Sequence, residues 1–177
     1  MAKKRIVLVG AVFSLLAFAL PARAADTTTT FSIAAGSLSI SAPASSGLGS
    51  GSGGDALSAQ LGTVTVTDTR GALLGTWTAT VSATNFTTGG ASADETIAKG
   101  QVTYWSGAAT ASSGTAVFLP GQATALNAQA LSVARTAFSA SAIIGNDSAS
   151  WNPTVTVNVP AAAVAGTYTG TITHSVA

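Results

Sequence analysis

His174 is the lone histidine of this chain, and Asp94-Glu95 is its one pair of adjacent acids. An imidazole can serve as a general base or metal ligand near neutral pH. Paired carboxylates can hold calcium or cleave glycosidic bonds. Neither feature stands in a supporting pattern. His174 falls in phase with Tyr168, Ile172 and Val176 on an apolar strand face, where a single imidazole is more often a hydrogen-bonded core group than a catalyst. A triad needs a nucleophile, a base and an orienting acid, and no serine occupies a nucleophile-elbow pattern. Asp94 and Glu95 lack the regular oxygen spacing of a calcium loop, so they read as a solvated turn. Cysteine is absent, which removes thiolate metal sites and cysteine nucleophiles. No catalytic residue, metal site or cofactor is assigned.

The remaining chemistry is aromatic. Trp77, Tyr104, Trp105, Trp151 and Tyr168 combine a large apolar ring with a polar atom, the combination that holds sugar rings or partner surfaces by stacking. Trp77 and Tyr168 share apolar faces and read as core; the burial of Trp105 and Trp151 is less settled by their neighbours. Core packing ranks ahead of stacking for the group. Trp77, Trp105, Trp151 and His174 form the short list of ligand-binding candidates. Asp68 and Arg70 are placed to pair across a turn, an exposed contact worth about 0–1 kcal/mol.

The elements that must position these side chains follow a two-residue period. Val64 and Val66 alternate with Thr63, Thr65 and Thr67; after the polar stretch Asp68-Thr69-Arg70-Gly71, Trp77, Ala79, Val81 and Ala83 resume the alternation. Such a period sends alternate side chains to opposite faces of a sheet, one apolar and one hydroxyl-rich. The pattern predicts two strands joined by a turn at residues 68–71. Phe31 and Ile33, then Leu38 and Ile40, predict short strands earlier in the chain, and residues 45–55 (SSGLGSGSGGD) predict a surface loop. Val102 and Tyr104 share a face opposite Trp105. Residues 107–114 read as turn-rich, and Val117 to Leu119 as a short apolar run closed by Pro120-Gly121. Residues 122–139 fit helical and extended spacing alike, with an extended reading preferred from Leu131. Gly145-Asn146-Asp147 predicts a further turn, and Asn152-Pro153 the start of a strand bearing Val155, Val157 and Val159. Tyr168 to Val176 is the last predicted strand. The expected class is all-β, a single-domain β-sandwich of mostly antiparallel strands.

The N-terminus reads as an export signal over residues 1–24. Lys3-Lys4-Arg5 precede an apolar run from Ile6 to Leu20, and Ala22-Arg23-Ala24 places small residues where a signal peptidase cuts. The apolar run is shorter than the about 20 residues a membrane-spanning helix requires. The mature chain, residues 25–177, is therefore expected to be secreted rather than integral to a membrane. Lys3, Lys4, Arg5 and Arg23 leave with the signal, so Arg70, Lys99 and Arg135 face six acids, a formal charge of −3 in place of the precursor's +1. Three scattered cations cannot neutralise a run of phosphates, which argues against nucleic-acid binding.

Residues Val64-Thr-Val-Thr-Asp-Thr-Arg-Gly71 with Trp77-Thr-Ala79, and the terminal Gly166-Thr-Tyr-Thr-Gly-Thr-Ile-Thr-His174, resemble the WxL domain of Gram-positive cell-surface proteins. Ala79 stands where the family's motif carries leucine, and His174-Ser-Val176 where a second tryptophan motif belongs. The resemblance implies a secreted all-β domain held non-covalently at the cell wall, with peptidoglycan or another surface protein as partner. The departures bear on wall binding more than on the fold. The expected function is a cell-surface or wall-associated binding or structural protein without catalysis. An adhesin or surface-polymer subunit is the alternative, and a secreted hydrolase ranks third.

Overall fold

A computed structural model describes residues 26–177; the expected export signal lies outside the described residues. Two units are distinguished. The first ends at Ile33 and contains no strand among its described residues, while Ala34–Ala177 forms an all-β sandwich. Phe31 and Ile33, expected in a strand, are each 87% exposed and unpaired. Alternation over two apolar residues defines a face only where a neighbouring strand supplies the ladder, and none does so there. Among the described residues, no helix is long and apolar enough to cross a membrane.

The strands are β1 (Leu38–Ser41), β2 (Ala56–Gln60), β3 (Val64–Ala83), β4 (Phe86–Thr87), β5 (Thr96–Ile97), β6 (Val102–Trp105), β7 (Ala109–Pro120), β8 (Gln129–Ala130), β9 (Arg135–Trp151), β10 (Thr154–Asn158) and β11 (Ile172–Val176). One sheet runs β1-β3-β9-β7, with β11 on the far end of the β3 edge that carries β1. The second runs β2-β10-β6-β8, and β4 with β5 forms a two-stranded ribbon. All pairings are antiparallel. Val64, Val66, Trp77, Ala79 and Val81 from the first sheet meet Val102, Tyr104, Val155 and Val157 from the second in one core. The alternation of these residues is what builds that core.

Three expected turns are not turns. Residues 68–71 lie within the continuous 20-residue β3, Gly145-Asn146-Asp147 within the 17-residue β9, and all of the expected 107–114 turn except residues 107–108 within the 12-residue β7. The reason is their alignment. Asp68 pairs with Asp147 and Ala72 with Gly145 across a register shift, and Ser113 pairs with Ser148. The glycines at these places take positive φ, Gly71 at 65°, Gly145 at 82° and Gly114 at 84°. Each therefore acts as a β-bulge rather than as the corner of a hairpin. A Cβ on Gly114 would run into the backbone of Asn146 and Asp147, so glycine is required where the strands press together along this line.

Smaller corrections have local causes. The last strand starts at Ile172; Tyr168 precedes it, with Thr169 making only an isolated bridge to Thr87. Leu131 is buried in a turn, and extended structure resumes at Arg135 rather than at Leu131. The residue 45–55 loop carries no strand, as expected.

Candidate functional site

The outward residues of the second sheet assemble a polar platform around one indole. In β6 the buried Val102 and Tyr104 turn inward, which leaves Thr103 and Trp105 on the other face. In β10, Val155 and Val157 do the same and leave Thr154, Thr156 and Asn158 outside. Strand register then sets the rows: Trp105 beside Thr154 beside Gln60, and Thr103 beside Thr156 beside Ser58. Thr156 Oγ1 donates to Ser58 Oγ at 2.8 Å, and Asn152 Nδ2 to Gln60 Oε1 at 3.0 Å. These bonds hold the hydroxyls and amides in place and leave unused lone pairs and donors. None of these side chains carries a charge.

Trp105 differs from the other two tryptophans. Trp77 and Trp151 are 1% and 0% exposed. Their indole N–H groups are used internally, Trp77 Nε1 donating to Asp147 Oδ1 at 2.9 Å and Trp151 Nε1 to Tyr104 Oη at 3.1 Å. Trp105 is half-buried, and its N–H has no partner among the described residues. Gly107 takes φ 73°, and a Cβ built there would meet the Trp105 ring at ordinary contact, 3.5 Å from an indole carbon. A ring with an apolar surface and a free donor, flanked by fixed hydroxyls and amides, matches the alternating polar edges and apolar faces of a sugar.

The other candidates are placed elsewhere. Trp77 and Trp151 are core side chains, and neither ring presents a surface to a ligand. His174 is half-buried on the inner side of β11 and belongs to a chain of hydrogen bonds. Tyr104 Oη accepts from Trp151 Nε1 at 3.1 Å and is hydrogen-bonded to His174 Nε2 at 3.2 Å. Burial pushes the His174 pKa down from 6.5 to about 4, and burial raises that of Tyr104. A neutral imidazole of such low basicity is a poor general base at neutral pH. Its role here is to close a packed aromatic cluster, with Phe138 and Trp151 stacked at 4.8 Å beside it.

His174 also carries a pH prediction. Its folded pKa is depressed, so its contribution to stability is complete above 6.5 and is lost as pH falls towards about 4. The loss approaches about 1.4 kcal/mol for each pH unit within that window. An NMR titration of the ring in folded protein should give a midpoint near 4. A midpoint near 6.5 would show that the ring is solvated and the hydrogen-bond chain absent.

Asp68, Arg70, Trp77 and Asp147 meet on the bulge line, a cluster that sequence reasoning recognised only in part. Arg70 and Asp68 pair as expected, through Nε to Oδ1 at 2.9 Å and a second guanidinium nitrogen to Oδ2 at 2.7 Å. The expected exposed contact is not what forms, because the Asp68 carboxylate is fully buried. It sits inside a strand rather than at a turn. Arg70 hydrogen bonds hold its carboxyl below the usual range. Asp147 is 3% exposed and has one oxygen, Oδ2, without a partner among the described residues. Burial raises its pKa, and the charge of Asp68 adds to that. A single acid among serines and glycines gave no sequence signal for this burial.

Asp94 and Glu95 lie in the connection between β4 and β5. Asp94 is exposed, and Glu95 Oε2 accepts from Ser92 N at 3.0 Å within its own turn. Among the described residues, no group of three or more acid, histidine or cysteine side chains could hold a metal ion. No family model, curated protein or solved structure matches this chain.

Proposed function

We propose that the mature chain is a secreted, non-catalytic carbohydrate-binding domain that attaches non-covalently to the cell wall through the outer face of its second sheet. The observation that carries this reading is the half-buried Trp105 with its unpartnered N–H, set among fixed, uncharged hydroxyls and amides. The export signal and the WxL-like segments support the location, and peptidoglycan glycan strands are the ligand they favour. The low basicity of His174 supports a binding role over a hydrolytic one.

Purified mature protein is expected to co-sediment with Gram-positive wall material and to be released by denaturant. Trp105→Ala should weaken this by at least about tenfold, about 1.4 kcal/mol, as tryptophan anchors commonly do. Its melting temperature should stay close to wild type. Asp94→Ala and His174→Ala, both outside the platform, should still bind. Retention of full binding by Trp105→Ala would remove the platform from the mechanism. A protein that stays wholly in the supernatant would remove the wall.

A surface-polymer subunit is the second reading, favoured by one feature. Leu73, Leu74, Val117, Leu119 and Ile144 are all more than half exposed, and Leu73 pairs with Ile144 across β3 and β9. Concentration-dependent filaments, disrupted by Leu73→Lys, would favour that reading. Against it, β3 carries bulges along its pairing with β9, and β7 ends in Pro120, devices that discourage edge pairing.

A further inference from the structure

Two amides at one end of the Trp105 platform are oriented by the backbone. Asn152 Oδ1 accepts from Gly62 N at 3.1 Å, and a backbone N–H can only donate. The Asn152 oxygen is thereby committed, so Nδ2 is the atom that reaches Gln60, donating to Oε1 at 3.0 Å. That bond turns the Gln60 oxygen towards Asn152 and leaves Nε2 as the outer atom of the side chain. Gln60 is exposed at the end of β2, and its Nε2 has no hydrogen-bond partner among the described residues. A glutamine amide ordinarily offers both a donor and an acceptor. Two consecutive bonds remove that choice here, and what Gln60 presents is a pair of donors.

Strand register puts this donor pair in line with the indole. Gln60 neighbours Thr154 across β2 and β10, and Thr154 neighbours Trp105 across β10 and β6. Two strand spacings separate the ends of the row, about 10 Å. That is more than one pyranose ring spans, so a sugar ligand touching both ends is an oligosaccharide lying across the strands. The Trp105 N–H makes the opposite end a donor as well. A sugar hydroxyl donates as well as accepts, and its own O–H gains nothing at an end that only donates. A carbonyl oxygen accepts only, and on neutral sugars that carbonyl belongs to an acetamido group. Carboxylates and phosphates accept too, but no platform side chain carries a charge to offset their desolvation.

We propose that Gln60 is the specificity-determining residue of the platform, its Nε2 donating to the acetamido carbonyl of an N-acetylated oligosaccharide whose other end stacks on Trp105. Asn152 is a positioning residue that acts through Gln60 by setting which atom it presents. Gln60 plays this part only if the platform binds carbohydrate, the reading given above, which it narrows to chains of N-acetylhexosamine. Two isosteric changes invert the presented group. Gln60→Glu keeps the bond from Asn152 Nδ2 and puts an oxygen where the donors stood. Asn152→Asp keeps the acceptor for Gly62 N and offers a second oxygen to Gln60, which turns Nε2 towards it and Oε1 outward.

The test is an NMR titration of residues 25–177 with triacetylchitotriose and with cellotriose, which carries hydroxyls in place of the acetamido groups. The acetylated trisaccharide is expected to bind at least about tenfold more tightly. The Gln60 side-chain amide resonances should shift with that sugar and stay in place with cellotriose. Gln60→Glu and Asn152→Asp should each abolish the preference. Trp105→Ala should weaken both sugars together and leave their ratio unchanged, which separates stacking from acetamido recognition. Equal binding of the two trisaccharides overturns the role of Gln60 and leaves the carbohydrate platform standing. A preference that survives both isosteric variants does the same. Binding of neither sugar also overturns it, and the wall co-sedimentation assay then shows whether the carbohydrate reading falls with it.

Discussion

Trp77→Ala should destabilise the domain by about 3–5 kcal/mol, the range for deleting a large buried aromatic. The side chain is 1% exposed, in phase with the buried Ala79 and Val81, with its ring 6.2 Å from that of Phe118. The upper part of the range is expected for a second reason. Trp77 Nε1 donates the one hydrogen bond that the Asp147 carboxylate accepts among the described residues, and alanine would leave that buried carboxylate with none. Trp77→Phe separates the two contributions, since it keeps most of the ring and removes the donor. Its cost should be about 1–3 kcal/mol. Urea unfolding, read as a change in midpoint at constant slope, measures both. If Trp77→Ala melts as wild type does, the indole is not a core group.

Asp147→Asn should stabilise the protein at neutral pH, by about 1–3 kcal/mol, because it removes a buried charge that is incompletely bonded. The sign of the pH dependence follows from the direction of each shift. Burial, reinforced by Asp68, raises the Asp147 pKa above 3.8. The folded state therefore holds this proton more tightly than the unfolded one. Its contribution is a penalty at high pH, relieved as pH falls through the raised value and fully relieved below 3.8. Asp68 behaves in the opposite way. Hydrogen bonds from Arg70 lower its pKa, so it stabilises above 3.8 and loses that contribution as pH falls through the lower value. Asparagine at 147 should accordingly raise stability at neutral pH and abolish the gain on mild acidification, leaving only the acid losses from His174 and Asp68. Unfolding free energies across a pH series check this. A variant less stable than wild type at neutral pH would mean that Oδ2 has a partner in solution.

The three tryptophans show how the outer and inner faces are coupled. Tyr104 and Trp105 are neighbours on β6, and the pleat sends them to opposite sides. Tyr104 accepts from Trp151 and bonds His174 inside the core, while Trp105 stands on the platform outside. Substitutions at Trp105 are thus expected to report on binding, and those at Trp151 on folding.

Side-chain alternation alone determined the all-β class, the apolar faces at Val64-Val66, Trp77 to Val81, Val102-Tyr104 and Val155-Val157, and the outward position of Trp105 opposite Tyr104. These follow from a period of two, a local property of the backbone. The length of β3, β7 and β9 was decided by tertiary structure. Glycine and aspartate at residues 68–71, 107–114 and 145–147 carry the same local preference for positive φ in a hairpin corner as in a bulge. Only the alignment of those stretches across three paired strands selects the bulge. The burial of Asp68, Asp147 and Trp151 was likewise decided by pairing between residues far apart in the chain. Alternation assigns side chains to two faces; which face meets another sheet depends on the register that long-range contacts set.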